Sequence, residues 1–229
     1  MTFIVAIQLN DSIIVTADNK KVVLKETGEI EFSTKQVPKI YTWDKGIITG
    51  TGESYVINRS IELFKKFNSP SIDELPQYLD ISRKIRELEI GTDYYQVENT
   101  KLLCSSYNEC GAQLYTIQRF DPSQPYIFTA INPMEIIVWL FHPNIESISV
   151  ELQNLYTKLK DRSAFSNLVD CVNYYINDLA LIYQKQNQQD PFMSQSFDFF
   201  FQTKDKYITG HVPNTHTSPL KFQATSIDV

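Results

Sequence analysis

Thr2 is the residue whose type and place could do chemistry unaided. It follows Met1, and its small size permits an aminopeptidase to remove that methionine. Thr2 would then present a hydroxyl nucleophile and, on the same residue, an amine able to accept its proton. An α-amine has an unperturbed pKa of about 8, so an appreciable fraction is neutral at physiological pH, and a nearby cation raises that fraction. The other reading of Thr2 is a β-branched residue opening the first strand. His142, His211 and His216 lie apart with no i,i+4 pair, so no helical zinc site is expected. Cys104, Cys110 and Cys171 are odd in number and lack C-x-x-C spacing, which indicates neither a disulfide framework nor a zinc knuckle. Seven glycines include no phosphate-cradling run, so no cofactor is expected either.

Two β-branched runs, Thr2 to Gln8 and Ser12 to Asp18, flank the turn residues Leu9-Asn10-Asp11 and predict a hairpin. A second pair, Lys39 to Trp43 and Ile47 to Gly50, is joined through Gly46, and the polar stretch between the pairs predicts a further hairpin around Thr27-Gly28. The period then turns helical. Val56, Ile57, Ile61, Phe64 and Phe67 form one stripe of a helix ending near Asn68-Ser69-Pro70. Ser71-Ile72-Asp73-Glu74 matches a capping box, with Ile81, Ile85 and Leu88 following on one face. Strand patterns return at Lys101 to Tyr107, Ala112 to Gln118 and Tyr126 to Ala130. A helix is predicted from Ala164 to about Gln186, and a last hairpin pairs Ser196 to Thr203 with Tyr207 to His211. In the first of those strands Phe197, Phe199 and Phe201 face one way and Phe200 the other. This order predicts two antiparallel sheets packed face to face, each covered outside by helices. No repeat or linker divides the chain, so residues 1–211 are expected to be one domain and 212–229 a polar tail.

At 229 residues and 42% hydrophobic, with 13 Tyr and 14 Phe, the chain can bury an aromatic-rich core. A net charge of −6 and a pI near 5.1 argue against nucleic acid, whose binding needs clustered Lys and Arg. The longest strongly apolar run, Ile136 to Phe141, falls far short of the ~20 residues that cross a bilayer. The start MTFIVAIQLND has no basic region and no long apolar middle, so no signal peptide is expected. A cytoplasmic location, without a membrane or nucleic-acid partner, fits these features.

Several short segments, in order, resemble the β-type subunits of proteasomes and the bacterial two-component proteasome-like peptidase. They are Thr2-Phe-Ile-Val-Ala6, Ile14-Val-Thr-Ala-Asp18, Lys39-Ile40, Ile48-Thr-Gly50, the hairpin from Leu103 to Tyr115, and Asp190-Pro-Phe192. The resemblance covers most of the chain. It implies an α+β fold, the four-layer αββα sandwich of the N-terminal-nucleophile (Ntn) hydrolases, acting on a peptide or small amide and assembling as a homo-oligomer. It casts Thr2 as nucleophile and Lys39 as the cation beside its amine, held by Asp18, with Lys35 as the competing lysine. The Gly50 N–H would donate to the developing oxyanion. Asp190 and Ser194 match the acid and serine of the second half of the family's site.

One departure divides the functional reading. Family members that cleave peptides carry a Gly-Ser-Gly-like turn where this chain has Ala130-Ile131-Asn132-Pro133-Met134, and Pro133 has neither hydroxyl nor N–H. The stretch Asp190-Pro-Phe-Met193-Ser194-Gln195 holds no glycine, where the family tends to have them. Two expectations therefore stand: an Ntn hydrolase with Thr2 as nucleophile and base, and a proteasome-like domain without chemistry that serves as a binding, immunity or assembly protein for a protein partner.

Overall fold

The computed structural model describes residues 2–24, 30–66, 70–140, 144–204, 206–214 and 219–222. Met1, the Thr27-Gly28 turn, Phe67 to Ser69, His142 and His216 lie outside the described residues. In chain order the strands are β1 (Ile4–Gln8), β2 (Ile13–Asp18), β3 (Lys20–Leu24), β4 (Ile30–Gln36), β5 (Tyr41–Trp43), β6 (Gly46–Thr51), β7 (Lys101–Asn108), β8 (Gly111–Gln118), β9 (Ile127–Ala130), β10 (Glu135–Trp139), β11 (Phe197–Gln202) and β12 (Tyr207–Val212). The helices are α1 (Ser54–Lys65), α2 (Leu75–Ile90), α3 (Tyr95–Glu98), α4 (Ser149–Thr157) and α5 (Leu168–Gln189). They form two compact units, one of Met1–Ile40, Tyr107–Ala112 and Asn132–Val229, the other of Tyr41–Ser106 and Gln113–Ile131.

The first unit carries an antiparallel sheet of order β10-β1-β2-β11-β12, with β3 and β4 as a separate hairpin. Period-two alternation divides its side chains. Phe3, Val5, Ile7, Ile14, Phe197, Phe199 and Phe201 pack against the α5 stripe of Cys171, Val172, Tyr175, Ile176, Leu179, Ile182 and Tyr183. Ile4, Ala6 and Val15, on the other face, are equally withdrawn from water. Fully burying each large apolar side chain contributes about 1.5–3 kcal/mol, so strands buried on both faces fix their register firmly. The β1–β2 turn is closed by Leu9 N–H donating to Ser12 O at 2.8 Å. Against that turn sits Gly111 at φ 135°, where a Cβ would stand 2.6 Å from Asp11 O. Only glycine satisfies both the positive φ and the close approach.

The second unit carries an antiparallel sheet of order β5-β6-β7-β8-β9, covered by α1 and α2. Val56, Ile57, Ile61 and Phe64 of α1 are buried as their spacing predicts. The face of α2 that packs is not the Ile81, Ile85 and Leu88 face. Leu75, Tyr78, Leu79 and Ser82 point inward, whereas Leu88 is 88% exposed. Both stripes run at helical spacing, so periodicity alone does not choose between them. At Ser71 the hydroxyl accepts from Asp73 N–H at 3.4 Å, and Glu74, instead of closing the box, accepts from the Tyr78 hydroxyl at 2.8 Å.

Three further differences have local causes. Helix α5 begins at Leu168 instead of Ala164, because Asn167 caps it by accepting from Asp170 N–H at 2.9 Å. Strand β10 takes in residues 136–139 of the apolar run and pairs with β1, Ile4 opposite Trp139. Helix α4 has no side-chain cap. Near the C-terminus Leu220 and Phe222 pack on the core of the first unit, held by a pair of asparagines from α5. Asn177 accepts from Leu220 N–H at 2.8 Å, and Asn173 from Phe222 N–H at 2.6 Å.

Candidate active site

The end of β2 brings the chemistry together. Asp18 has no exposed surface, and its Oδ1 accepts from Phe3 N–H at 2.8 Å and from the Lys39 ammonium at 2.8 Å. Its Oδ2 accepts from Lys20 N–H at 3.1 Å and from Ser194 N–H at 3.4 Å. Antiparallel pairing of β1 with β2 sets this up, since Asp18 N–H donates to Phe3 O at 3.0 Å and thereby places the carboxylate beside the residue that follows Thr2. Thr2 is itself 9% exposed. From α5 the Tyr183 hydroxyl lies 3.2 Å from Phe3 O and 3.2 Å from Thr16 Oγ1, and its ring packs 4.7 Å from Phe3. Burial holds the Tyr183 hydroxyl well above the usual tyrosine range, so it acts as a neutral hydrogen-bonding support.

Lys39 lies just before β5, with its side chain 12% exposed. Burial pushes its pKa below the ordinary lysine value, and the carboxylates of Asp18 and, more weakly, Asp198 oppose that shift. A buried carboxylate thus holds the Lys39 ammonium, whose proton is more readily released than that of an ordinary lysine. The competing lysine, Lys35, lies in β4.

The remaining predicted residues separate. Ser194 joins Asp18 through its main chain. Its hydroxyl is engaged elsewhere, 3.1 Å from Asn19 Oδ1 and 2.7 Å from Ser196 O. Asp190 ends α5 and accepts from Phe192 N–H at 2.8 Å, closing its own turn. It also lines a cleft of about 550 Å³ with Glu146, Ser147, Gln186 and Gln189. Among the described residues, Thr2, Asp18 and Lys39 do not line that cleft, so its size does not mark it as the chemical centre. Gly50 belongs to the other unit, inside β6 opposite Leu102. A Cβ there would stand 2.6 Å from Lys101 O, so the strand pairing itself demands glycine.

Sequence reasoning passed over Asn19, Ser196, Asp198 and His211. Ser196 Oγ donates to Asn19 Oδ1 at 2.6 Å, Asn19 Nδ2 lies 3.3 Å from His211 Nδ1, and His211 Nδ1 lies 2.8 Å from Asp198 Oδ1. The register of β11 on β2 and β12 assembles this network, opposing Phe197 to Asp18 and Asp198 to His211. The one local signal is that Asn19 adjoins Asp18. The thiols stand apart from it: Cys104 and Cys171 are buried, and burial pushes the Cys171 thiol up to about 12 and Cys104 higher, which disfavours the thiolate.

The turn before β10 keeps its departure. Asn132 donates through both its N–H and its side-chain amide to Glu135, and Met134 takes φ 62°. Among the described residues no helix is long and apolar enough to cross a membrane.

Two solved structures share this architecture. The Anbu (Gly-1) mutant from Hyphomicrobium sp. strain MC1 is similar at 13% identity, with a TM-score of 0.61 over 94% of this chain and 88% of that one. Anbu (ancestral beta-subunit) from Yersinia bercovieri is similar at 11% identity, with a TM-score of 0.59 over 90% and 86%. No family sequence model and no curated protein sequence matches the chain. The likeness is one of fold: an α+β fold with two antiparallel five-stranded sheets, in agreement with the proteasome β-like resemblance.

Proposed function

We propose that this chain is an Ntn hydrolase that cleaves an amide bond in a peptide or small molecule, with Thr2 as nucleophile once Met1 is removed. The observation that carries the reading is the buried Asp18 carboxylate, which binds the Lys39 ammonium and the Phe3 N–H through one oxygen and so ties a cation to the residue after Thr2. In the proposed reaction the Thr2 α-amine takes the hydroxyl proton as Oγ attacks the carbonyl carbon. The tetrahedral intermediate collapses, the amine leaving group departs with that proton, and an ester to Thr2 remains. Water, deprotonated by the same amine, attacks the ester and frees the acid. Lys39 keeps the amine neutral at working pH by its charge. The Gly50 N–H as oxyanion donor, and Asp190 and Ser194 as supports, belong to the same proposal by family resemblance. So do a cytoplasmic location and a homo-oligomeric assembly, the latter checked by light scattering.

Intact mass and labelling by an amine-dependent electrophile test the proposal together. The expected result is loss of Met1 and one adduct on Thr2. A second reading, a binding, immunity or assembly protein, is favoured by one observation: Pro133 and Met134 occupy the turn where cleaving relatives carry a serine. Retained Met1 with an inert wild-type chain would decide for it.

A further inference from the structure

We infer that Asn19 is a positioning residue for the Asp18–Lys39 pair, acting through the serine segment 194–196. The inference rests on the hydrolase reading only for its catalytic consequence. Asn19 is 2% exposed, and a buried amide is tolerated only where its polar atoms are engaged. Its main chain binds both segments that reach Asp18: the N–H donates to Ser194 Oγ at 3.3 Å, and the carbonyl accepts from Val37 N–H at 3.0 Å, two residues before Lys39. Its side chain binds one of them again. Oδ1 accepts from Ser196 Oγ at 2.6 Å and lies 3.1 Å from Ser194 Oγ, while Nδ2 lies 3.3 Å from His211 Nδ1.

The consequence falls on Asp18. The Ser194 N–H that reaches Asp18 Oδ2 does so at 3.4 Å, the longest of the contacts to that carboxylate. It therefore depends most on where the serine segment is held. Without the Asn19 amide, the two serine hydroxyls lose Oδ1, the segment lifts, and water reaches Asp18 and Lys39. The Val37 bond is main chain and survives, so Lys39 stays in place while its environment becomes wetter. Burial is the largest cause of its lowered pKa, and hydration relieves it.

The test follows the Lys39 side chain by NMR through its titration in wild type, Asn19→Ala and the milder Ser196→Ala, with Thr2 labelling recorded against pH. The resonance is assigned by its absence in Lys39→Arg. The expected result is an upward move of the Lys39 titration towards the ordinary value, larger in Asn19→Ala than in Ser196→Ala. Labelling at neutral pH should slow about tenfold in Asn19→Ala, the equivalent of one lost hydrogen bond to a charged group. If Asn19→Ala does not fold, Ser196→Ala carries the test. An unmoved Lys39 titration in a folded variant overturns the inference, even if thermal stability drops, since a purely structural asparagine would give that pattern. A wild type inert to the electrophile, with the Lys39 shift still present, overturns the hydrolase reading and leaves the positioning role standing.

Discussion

Four donors converge on the two oxygens of Asp18, three of them main-chain N–H groups and the fourth Lys39. Removing the charge takes the buried carboxylate away from the Lys39 ammonium and turns an amide N–H towards donors. Asp18→Asn should therefore lower stability by about 3–5 kcal/mol in chemical denaturation and weaken Thr2 labelling without abolishing it. Thr2→Ala should abolish labelling yet stay within about 1 kcal/mol of wild type. The pH dependence of labelling has two limbs under the hydrolase reading. It rises as the Thr2 amine, drawn below its ordinary pKa of about 8 by the Lys39 charge, loses its proton, and falls as Lys39 loses its own below the ordinary value of 10.5. Lys39→Arg, charged throughout, should remove the alkaline limb. The same lysine affects stability in a fixed direction. The unfolded chain holds a proton that the folded chain has already released, so the Lys39 contribution is full above about pH 10.5 and is lost as pH falls through the lowered folded value. Asp18 and Lys39 were legible because a family pattern names their positions. Asn19 and Ser196 were not, because about 180 residues separate them and only strand register joins them, and Asp198 meets His211 only through the pairing of β11 with β12.

Elements were legible where local chemistry marked them. The β1–β2 hairpin has its turn residues and the phenylalanines of β11 alternate, so both take the predicted form. Helix α4 has no capping side chain and β10 is nearly all apolar, so neither carries a boundary signal, and neither was foreseen. Sequence also could not choose between the two apolar stripes of α2, because the choice depends on which one meets α1. The turn into β10 is where an element departs from ordinary backbone preference. Met134, at φ 62°, bears the cost of a left-handed conformation, about 1–2 kcal/mol for a residue with a Cβ. Its side chain packs on the core of the first unit, so truncation also loses contact. Comparing two truncations isolates the strain: Met134→Gly should be more stable than Met134→Ala by about 1 kcal/mol in thermal or denaturant melts. Equal stabilities would mean that the turn relaxes to another conformation.

At the scale of the whole molecule, the last described residues complete the first unit. Phe222 meets the Phe199 ring edge-on at 5.3 Å, and the Asn173 and Asn177 side chains bind the main chain of residues 222 and 220 much as a neighbouring strand would. Ending the chain before Pro219 should cost about 2 kcal/mol, from two partly buried apolar side chains and their hydrogen bonds. Urea denaturation would measure it, and an unchanged midpoint would show that the packing is immaterial. The sheet order β10-β1-β2-β11-β12 has a parallel consequence during synthesis. The strand Ile13–Asp18 leaves the ribosome about 180 residues ahead of its second partner, Phe197–Gln202. At ~5–20 residues per second the nascent β2 edge waits roughly 10 to 40 s for that partner. Through that interval its unpaired N–H and C=O groups are open to another strand, so yield in a cell should depend on a holding chaperone and on translation speed more than on the stability of the finished fold.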